Sequence, residues 1–161
     1  MFREMRRKKQ QLSPQEALEI LTAGTSGVLA VAGDGGYPYA VPISYACRDG
    51  KLYFHCALQG HKLDAIQRNE RVSFCVIAQD DVVPQAFLTR YRSVIVFGRA
   101  RLLQEDGPKR RALELLAEKF SPGYPAEAQR EIEKDWERVG VVEISIEHIT
   151  GKAARDLVGG G

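Results

Sequence analysis

The chain has 161 residues, of which 44% are hydrophobic and 27% are charged, a composition typical of one globular domain rather than a disordered segment. Its net charge of +2 argues against a general nucleic-acid binder, because affinity for phosphate backbones needs concentrated positive charge. The charged amino end offers no signal peptide, and no apolar run approaches the ~20 residues of a membrane span. We therefore expect a cytoplasmic protein that binds neither nucleic acid nor membranes.

Cysteine and histidine spacing gives no disulfide or metal signal. The three cysteines, Cys47, Cys56 and Cys75, are odd in number and form no CxxC pair, so we expect reduced, buried thiols. The three histidines form no HExxH-like pattern. No protein metal site is expected.

The first predicted helix has three agreeing start signals. Ser13 can cap it, Pro14 suits its first position, and Glu16 lies three residues after the cap. Gly24 can end the helix in a left-handed conformation. The basic run 6–9 that precedes it predicts either a solvated tail or an anion-binding arm.

Six strands and three further helices follow. Short apolar or alternating runs predict strands over 26–32, 37–47, 51–57, 71–78, 91–103 and 139–149. Helical spacing predicts helices over 60–69, 107–120 and 126–138, and a loop is expected over 79–90. Tight turns at 33–36 and 48–50 join the first three strands into an antiparallel meander.

Proline and glycine positions refine this pattern. Pro38 and Pro42 fall within the second predicted strand, which must therefore be at an edge, bulged or interrupted. Gly98 predicts a bulge or a close backbone approach. We expect a mainly β fold, a closed or partly closed six-stranded antiparallel barrel with short flanking helices. The expected organisation is a basic tail (1–11), one domain (12–152) and a flexible tail (153–161).

Candidate chemistry lies at several points along this pattern. A helix start at Gly60 presents unpaired amide donors beside His61 and Lys62, which suits a phosphate, although the same pattern also occurs as plain structure. His55 is out of phase with the apolar residues of its strand, so its side chain faces a ligand, a partner subunit or solvent. Arg92 can bind a phosphate or form a salt bridge at a strand end.

The proline interruption adds one further possibility. A strand broken at Pro42 leaves backbone groups free to bond a planar heterocycle. Dinucleotide, nucleoside-triphosphate and serine-hydrolase motifs are absent from the sequence. The residues alone therefore indicate a barrel with a possible anion site.

At these residues the sequence resembles the pyridoxamine 5′-phosphate oxidase-like superfamily of FMN-binding split barrels, and within it the nitroimidazole-resistance (Nim) reductase family. The matching segments are GYPYAVP (36–42), LYFHCA (52–57) with GHK (60–62), YRSVIVFGRA (91–100) and ITGK (149–152). Their order and spacing agree from about Leu12 to Lys152. The Trp-Arg-Leu ending of true pyridoxamine phosphate oxidases is absent, so oxidation of vitamin B6 is not expected.

The resemblance implies a homodimer with FMN at the subunit interface. By matching positions, it implies that the cofactor site contains Val41, Pro42, Ile43, Ser44, His55, Cys56, Ala57, His61, Lys62, Tyr91, Arg92, Ser93 and Lys152. The backbone around 42–44 would meet the flavin ring, His61 and Lys62 would lie near the phosphate, and residues 91–93 would complete the pocket from across the interface. His55 matches a position beside the flavin in the Nim family and is the candidate catalytic residue.

These implications lead to an FMN-dependent oxidoreductase that reduces small, electron-poor aromatics such as nitroimidazoles. His55 would act as proton donor or positioning group. A non-catalytic flavin- or haem-binding sensor or store is the alternative, and the sequence does not separate FMN from a deazaflavin.

Overall fold

The computed structural model describes residues 1–158, and these form one curved antiparallel sheet flanked by helices. The strands are β1 (Ser26–Ala32), β2 (Pro38–Ser44), β3 (Ala46–Arg48), β4 (Lys51–Ala57), β5 (Arg71–Val83), β6 (Leu88–Leu102) and β7 (Val139–Ala153). The α-helices are α1 (Pro14–Ala23), α2 (His61–Arg68), α3 (Asp106–Phe120) and α4 (Pro125–Asp135). The tail predicted to be flexible ends in residues 159–161, which lie outside the described residues.

The strand order forces the sheet to curl. Neighbouring strands run in the order β2-β1-β5-β6-β7-β4-β3, so β2 and β3 are the two edges although Tyr45 alone separates them in sequence. In a flat sheet these edges would lie roughly 29 Å apart at about 4.8 Å per strand. One intervening residue spans only about 7 Å. The edges therefore meet at a seam, and within residues 1–158 no ladder of hydrogen bonds closes it.

The structure corrects two expectations here. Seven strands replace the predicted six, because the strand predicted over 37–47 is two strands divided at Tyr45. The predicted three-stranded meander is present only as two separate hairpins. The first two strands pair with each other, and β3 pairs with β4, but β2 and β4 belong to opposite sides of the sheet order. The mainly β fold itself is confirmed.

Tyr45 divides the strand because its side chain and its carbonyl both bond to helices. The buried hydroxyl donates to the Leu21 carbonyl of α1, and the ring packs edge-on against Phe74 at 4.9 Å. The Lys119 ammonium of α3 donates to the Tyr45 carbonyl at 2.9 Å and also to the Gly24 carbonyl. Burial raises the pKa of Tyr45 and lowers the pKa of Lys119. These bonds satisfy backbone groups that the seam leaves without strand partners.

The local signals around α1 are mostly confirmed. Ser13 and Glu16 form the predicted capping box, and the helix starts at Pro14. The left-handed ending at Gly24 is wrong, because its φ of −65° and ψ of 148° are extended. Glycine is needed there for another reason. A Cβ would overlap the Tyr45 hydroxyl that reaches over this turn.

Proline and glycine within strands also behave as expected. Pro38 and Pro42 lie on β2, which is an edge strand. Gly98 lies at a register shift between β6 and β7, and a Cβ there would overlap the Ser145 carbonyl oxygen. The predicted edge strand and the predicted bulge are both confirmed.

The loop expected over 79–90 is wrong. β5 and β6 continue to pair as far as Val83 and Leu88, after a register shift between Ile77 and Gln79. A short turn, Pro84–Ala86, joins them, followed by Phe87 at a φ of +51°. The pairing extends this hairpin although its side chains are mostly exposed, so apolar alternation does not mark it in the sequence.

The main core fills the inside of the curled sheet. Its largest fully buried side chains are Tyr45, Phe54, Phe74, Leu21, Leu29, Leu52 and Ile144. A second cluster packs α3 and α4 against the outside of β7, around Leu113, Ile132 and Val141. None of the helices in residues 1–158 is long and apolar enough to cross a membrane.

Glu143 is a buried charge that ties three strands together. It is 4% exposed and accepts a hydrogen bond from Arg101 at 3.1 Å, and the Lys51 ammonium lies 3.3 Å from its carboxylate. Burial alone would raise the pKa of Glu143, but the hydrogen bonds and charges of Arg101 and Lys51 outweigh it and hold that pKa below 4.5.

Replacing Lys119 with methionine should lower the free energy of unfolding by about 2 kcal/mol, because carbonyl acceptors at the seam lose a charged donor. Urea unfolding followed by far-UV circular dichroism measures the change. Lys134→Met is the matched control, since Lys134 makes an exposed ion pair with Glu131 at 3.7 Å, and it should cost under about 0.5 kcal/mol. Equal losses in the two variants would contradict the role of Lys119.

Glu143→Gln should destabilise the protein at neutral pH, and the difference from wild type should shrink in acid. A carboxyl whose folded pKa lies below its unfolded value of about 4.5 stabilises the fold above that pH. The stabilisation is lost as the pH falls through the folded pKa. Urea unfolding of both proteins at pH 7 and at steps below pH ~5 measures this. A difference that grows in acid would rule out the lowered pKa.

Candidate functional site

The seam places the end of β2 beside His55 of β4. Ala46 pairs with Tyr53, and continuing this register by two residues brings Ser44 opposite His55. His55 is exposed because the alternation that buries Leu52 and Phe54 turns it outward, as predicted. Ser44 and His55 both line a cavity of about 550 Å³. The seam is therefore where two groups of predicted site residues meet.

The remaining predicted residues of β2 lie along the same edge. Pro42 is exposed and paired with Val28 of β1, while Val41 and Ile43 are half-buried. Within the described chain the other side of β2 has no strand partner. Backbone groups of residues 41–44 on that side are thus available to a planar ligand.

Cys56, Ala57 and Lys62 lie together after His55. β4 ends at Ala57, and α2 begins four residues later. Burial raises the pKa of the Cys56 thiol, and the nearby Lys62 charge opposes this rise. All three cysteines are free and half-buried. Lys62 therefore lies close enough to β4 for its charge to act on the Cys56 thiol.

His61 is bound to the β1–β2 turn instead of standing free. Its ring stacks on Tyr39 with centroids 4.1 Å apart, and its Nε2 accepts a hydrogen bond from the Asp34 backbone N–H at 3.4 Å. Arg68 binds the Asp34 carboxylate at 2.7 Å. Through these contacts, His61 helps to hold the β1–β2 turn against α2.

The start of α2 leaves amide donors without a side-chain cap. Gly60 occupies the cap position with a φ of +143°, and nothing lies within 4 Å of where its Cβ would be. A side chain there would be strained, because L residues rarely adopt a φ of +143°. The N–H groups of the first turn carry the positive end of the helix dipole and suit an anion.

The other predicted residues form a separate group at the far end of β6 and β7. Ser93 pairs with Lys152, and the Lys152 ammonium lies 5.2 Å from the centre of the Tyr91 ring. The Nε of Arg92 is buried and has no hydrogen-bond partner within residues 1–158. Hydrogen bonds from Ser13, and to a smaller extent the charge of Arg92, lower the pKa of Glu16 nearby.

One chain does not bring these two groups into one pocket. His55 is in register with Val141 of β7, whereas Arg92 is in register with Ala153. These β7 positions are twelve residues apart, about 40 Å along the strand at ~3.3 Å per residue.

Sequence reasoning missed the walls of the cavity beside His55. They come from α3 and α4 and include Leu116, Phe120, Tyr124, Glu127 and Glu131. Both helices were predicted from the sequence. The short break over 121–124 did not indicate that α3 and α4 would leave a cavity between them with Phe120 and Tyr124 exposed. In the described part of the chain, no three His, Cys, Asp or Glu side chains are grouped to hold a metal ion.

Comparison with known proteins assigns the family. A model of the pyridoxamine 5′-phosphate oxidase family matches residues 13–153. The chain belongs to the pyridoxamine 5′-phosphate oxidase-like family. This confirms the resemblance drawn from segments 36–42, 52–62, 91–100 and 149–152. A search of curated proteins finds no match.

Several solved structures share the fold. A candidate 5-nitroimidazole antibiotic resistance protein from Bacteroides thetaiotaomicron is 23% identical with a TM-score of 0.72, over 87% of this chain and 83% of that one. An FAD-binding protein from Mesorhizobium loti is 29% identical with a TM-score of 0.64, over 90% and 97%. An FAD- and haem-binding protein from Mycobacterium smegmatis is 24% identical with a TM-score of 0.77, over 91% and 74%.

Proposed function

We propose that this pyridoxamine 5′-phosphate oxidase-like protein binds FMN at two sites in a homodimer and reduces small, electron-poor aromatics. The observation that carries the proposal is the buried Arg92 Nε, which lacks a partner within residues 1–158. A buried donor without an acceptor costs about 1–3 kcal/mol, so such a group fits a site that a phosphate oxygen completes. The FAD-binding relative at 29% identity supports a flavin.

A second copy of the chain is suggested by the outward face of β1, β5 and β6. We call this the outer sheet face, and its members are Val28, Cys75, Ile77, Ile95 and Phe97. Ile77 is 66% exposed, and Val28, Ile95 and Phe97 are also exposed. When one face of an antiparallel sheet packs on the core, its other face normally carries polar side chains towards water. An exposed apolar face of this kind therefore suits a subunit interface.

The outer sheet face also includes part of the second group of candidate residues. Strand alternation puts Tyr91 and Ser93 on the same face as Ile95, and Lys152 is in register with Ser93. Pairing two copies through this face would carry these side chains towards the other subunit. In the proposed dimer, a two-fold interface joins the His55 group of one subunit to the Arg92 group of the other, twice. Arg92 itself leaves β6 on the opposite face, in phase with the buried Val94, so its long side chain would reach the phosphate around the end of the strand.

The residues fit the parts of FMN. Lys62, the amides that open α2 and Arg92 of a second copy provide positive donors for its phosphate. The unpaired side of β2 at residues 41–44 offers backbone groups to the ring. When bound, the flavin supplies the electron transfer, and the protein orients it.

His55 is the proposed catalytic residue. Its side chain is exposed at the seam and lines the cavity where a substrate could stack beside the ring. An imidazole there either donates a proton to the substrate or positions it by hydrogen bonding. The resemblance to nitroimidazole-resistance reductases in segments 52–57 and 91–100 supports nitroaromatics as substrates.

Subunit complementation tests the composite flavin site. Lys62→Ala and Arg92→Met should each weaken FMN binding roughly 10- to 100-fold, because each removes a charged donor to phosphate. Mixing the two variants under conditions of subunit exchange should restore roughly a quarter of the tight sites, since each mixed dimer regains one intact pocket. Flavin fluorescence quenching measures the binding, and Lys9→Ala in the amino-terminal basic run is the control.

Several outcomes would overturn the flavin proposal. Purified protein without flavin bands in the near-ultraviolet and blue, and with no binding of added FMN, would exclude it. A Soret band in place of flavin bands would favour a haem-binding protein. Failure of the mixture to regain binding, with each variant dimeric by light scattering, would exclude a flavin site shared between two subunits.

Substitution of His55 tests the catalytic role. With the flavin reduced by dithionite and excess reductant removed, His55→Ala should slow nitroaromatic reduction about 100-fold or more while FMN affinity changes little. His55→Gln separates the two roles, because glutamine can hydrogen-bond but does not titrate. Recovery of the rate in His55→Gln indicates positioning, and a rate like that of His55→Ala indicates proton donation. Wild-type rates in both variants would exclude His55 from catalysis.

A further inference from the structure

The cavity between α3 and α4 is independent of the residues proposed to hold the flavin phosphate. It has a volume of about 550 Å³, within the usual range of small-molecule sites. Ser44 and His55 lie at one side of it, and apolar side chains of α3, among them Leu113 and Leu116, form a wall. A substrate that occupied it would be in contact with the seam.

Two aromatic rings stand unusually open in this cavity. Phe120 ends α3 and is 43% exposed, and Tyr124 immediately precedes α4 and is 60% exposed. Both rings line the cavity. Open aromatic rings favour flat apolar ligands, and their faces also attract cations.

The charges that line the cavity are of one sign. Glu127 and Glu131 lie four residues apart on α4 and so share one face of the helix. Both line the cavity, whereas within residues 1–158 no lysine or arginine does. A negative wall attracts a positively charged ligand and repels an anionic one.

The neighbouring cations of α4 do not neutralise this wall. Each carboxylate has a basic side chain three residues further along α4. The Arg130 guanidinium lies 3.5 Å from the Glu127 carboxylate, and the Lys134 ammonium lies 3.7 Å from the Glu131 carboxylate. All four side chains are more than half exposed, and exposed pairs at these distances contribute little and are screened by salt. A ligand cation inside the cavity can therefore compete for both carboxylates.

We infer that this cavity is the substrate pocket of the proposed site and that it selects flat aromatic molecules carrying a positive charge over anionic ones. The assignment of this cavity to a substrate rests on the proposed function, but its preference for cationic ligands does not depend on flavin binding. It also excludes phosphorylated substrates, whose negative charge would face Glu127 and Glu131 directly.

A matched pair of probes tests the preference. One is a 5-nitroimidazole carrying an aminoethyl side chain, and the other is the same ring carrying a carboxymethyl side chain. Calorimetry with purified full-length protein at pH 7 and low salt should give roughly three- to tenfold tighter binding of the aminoethyl compound, since both carboxylates are more than half exposed. The double variant E127Q/E131Q should lose most of that preference, and added salt should weaken it.

Glu133→Gln is the matched control on the same helix. Glu133 binds Arg110 on another side of α4 and does not line the cavity, so the preference should stay at its wild-type value. Thermal unfolding of each variant verifies that the fold is kept. Equal affinity for the two probes in wild type, or an unchanged preference in E127Q/E131Q, would overturn the inference.

Two further readouts separate this inference from the proposed function. If the protein binds no flavin but keeps the preference, the proposed function fails and the pocket stands as a cation-selective ligand site. If flavin binds, KM for the aminoethyl probe should rise in E127Q/E131Q while kcat changes little, and a change in kcat alone would count against the pocket. A change of oligomeric state in E127Q/E131Q by light scattering, with affinity unchanged, would make the groove a subunit contact and overturn it.

Discussion

The one-residue connection at Tyr45 determines the shape on which everything else depends. Because β2 and β3 are opposite edges of one sheet, a single residue between them allows no flat arrangement. The curl leaves a seam with unpaired backbone groups, and burying such groups without partners is costly. Lys119 solves this by donating to the Tyr45 and Gly24 carbonyls from α3, while the Tyr45 hydroxyl is satisfied by α1. Residues of α1 and α3 thus hold the seam together.

The seam also explains why the candidate site is located where it is. A sheet that closed completely would pair β2 on both sides, leaving no backbone free for a ligand. Here β2 keeps one unpaired side, and Ser44 and His55 meet across the gap. The helix that carries Lys119 continues to Phe120 and so walls the cavity next to the seam. Structural support for the seam and a wall of the cavity therefore come from adjacent residues of α3.

Features with a local cause could be predicted from the sequence, and features with a tertiary cause could not. The capping box at Ser13 and the bulge at Gly98 depend on residues close by or on backbone geometry, and both are confirmed. The break at Tyr45 depends on bonds to α1 and α3, so the sequence placed a possible interruption at Pro38 or Pro42, whereas the strand includes both and breaks at Tyr45. The hairpin over 79–90 is held by strand pairing without burial, which leaves no hydrophobic pattern.

The candidate site also combines features that the sequence predicts with features that depend on tertiary structure. Alternation along one strand was enough to turn His55 outward, since Leu52 and Phe54 had to be inside. The distance between His55 and Arg92 could not be foreseen, because it depends on the register of both strands with β7. That separation gives the apolar outer sheet face its significance. Under the proposed function, the donors for one phosphate lie at two distant places in the chain, and a second copy paired through this face would complete each site.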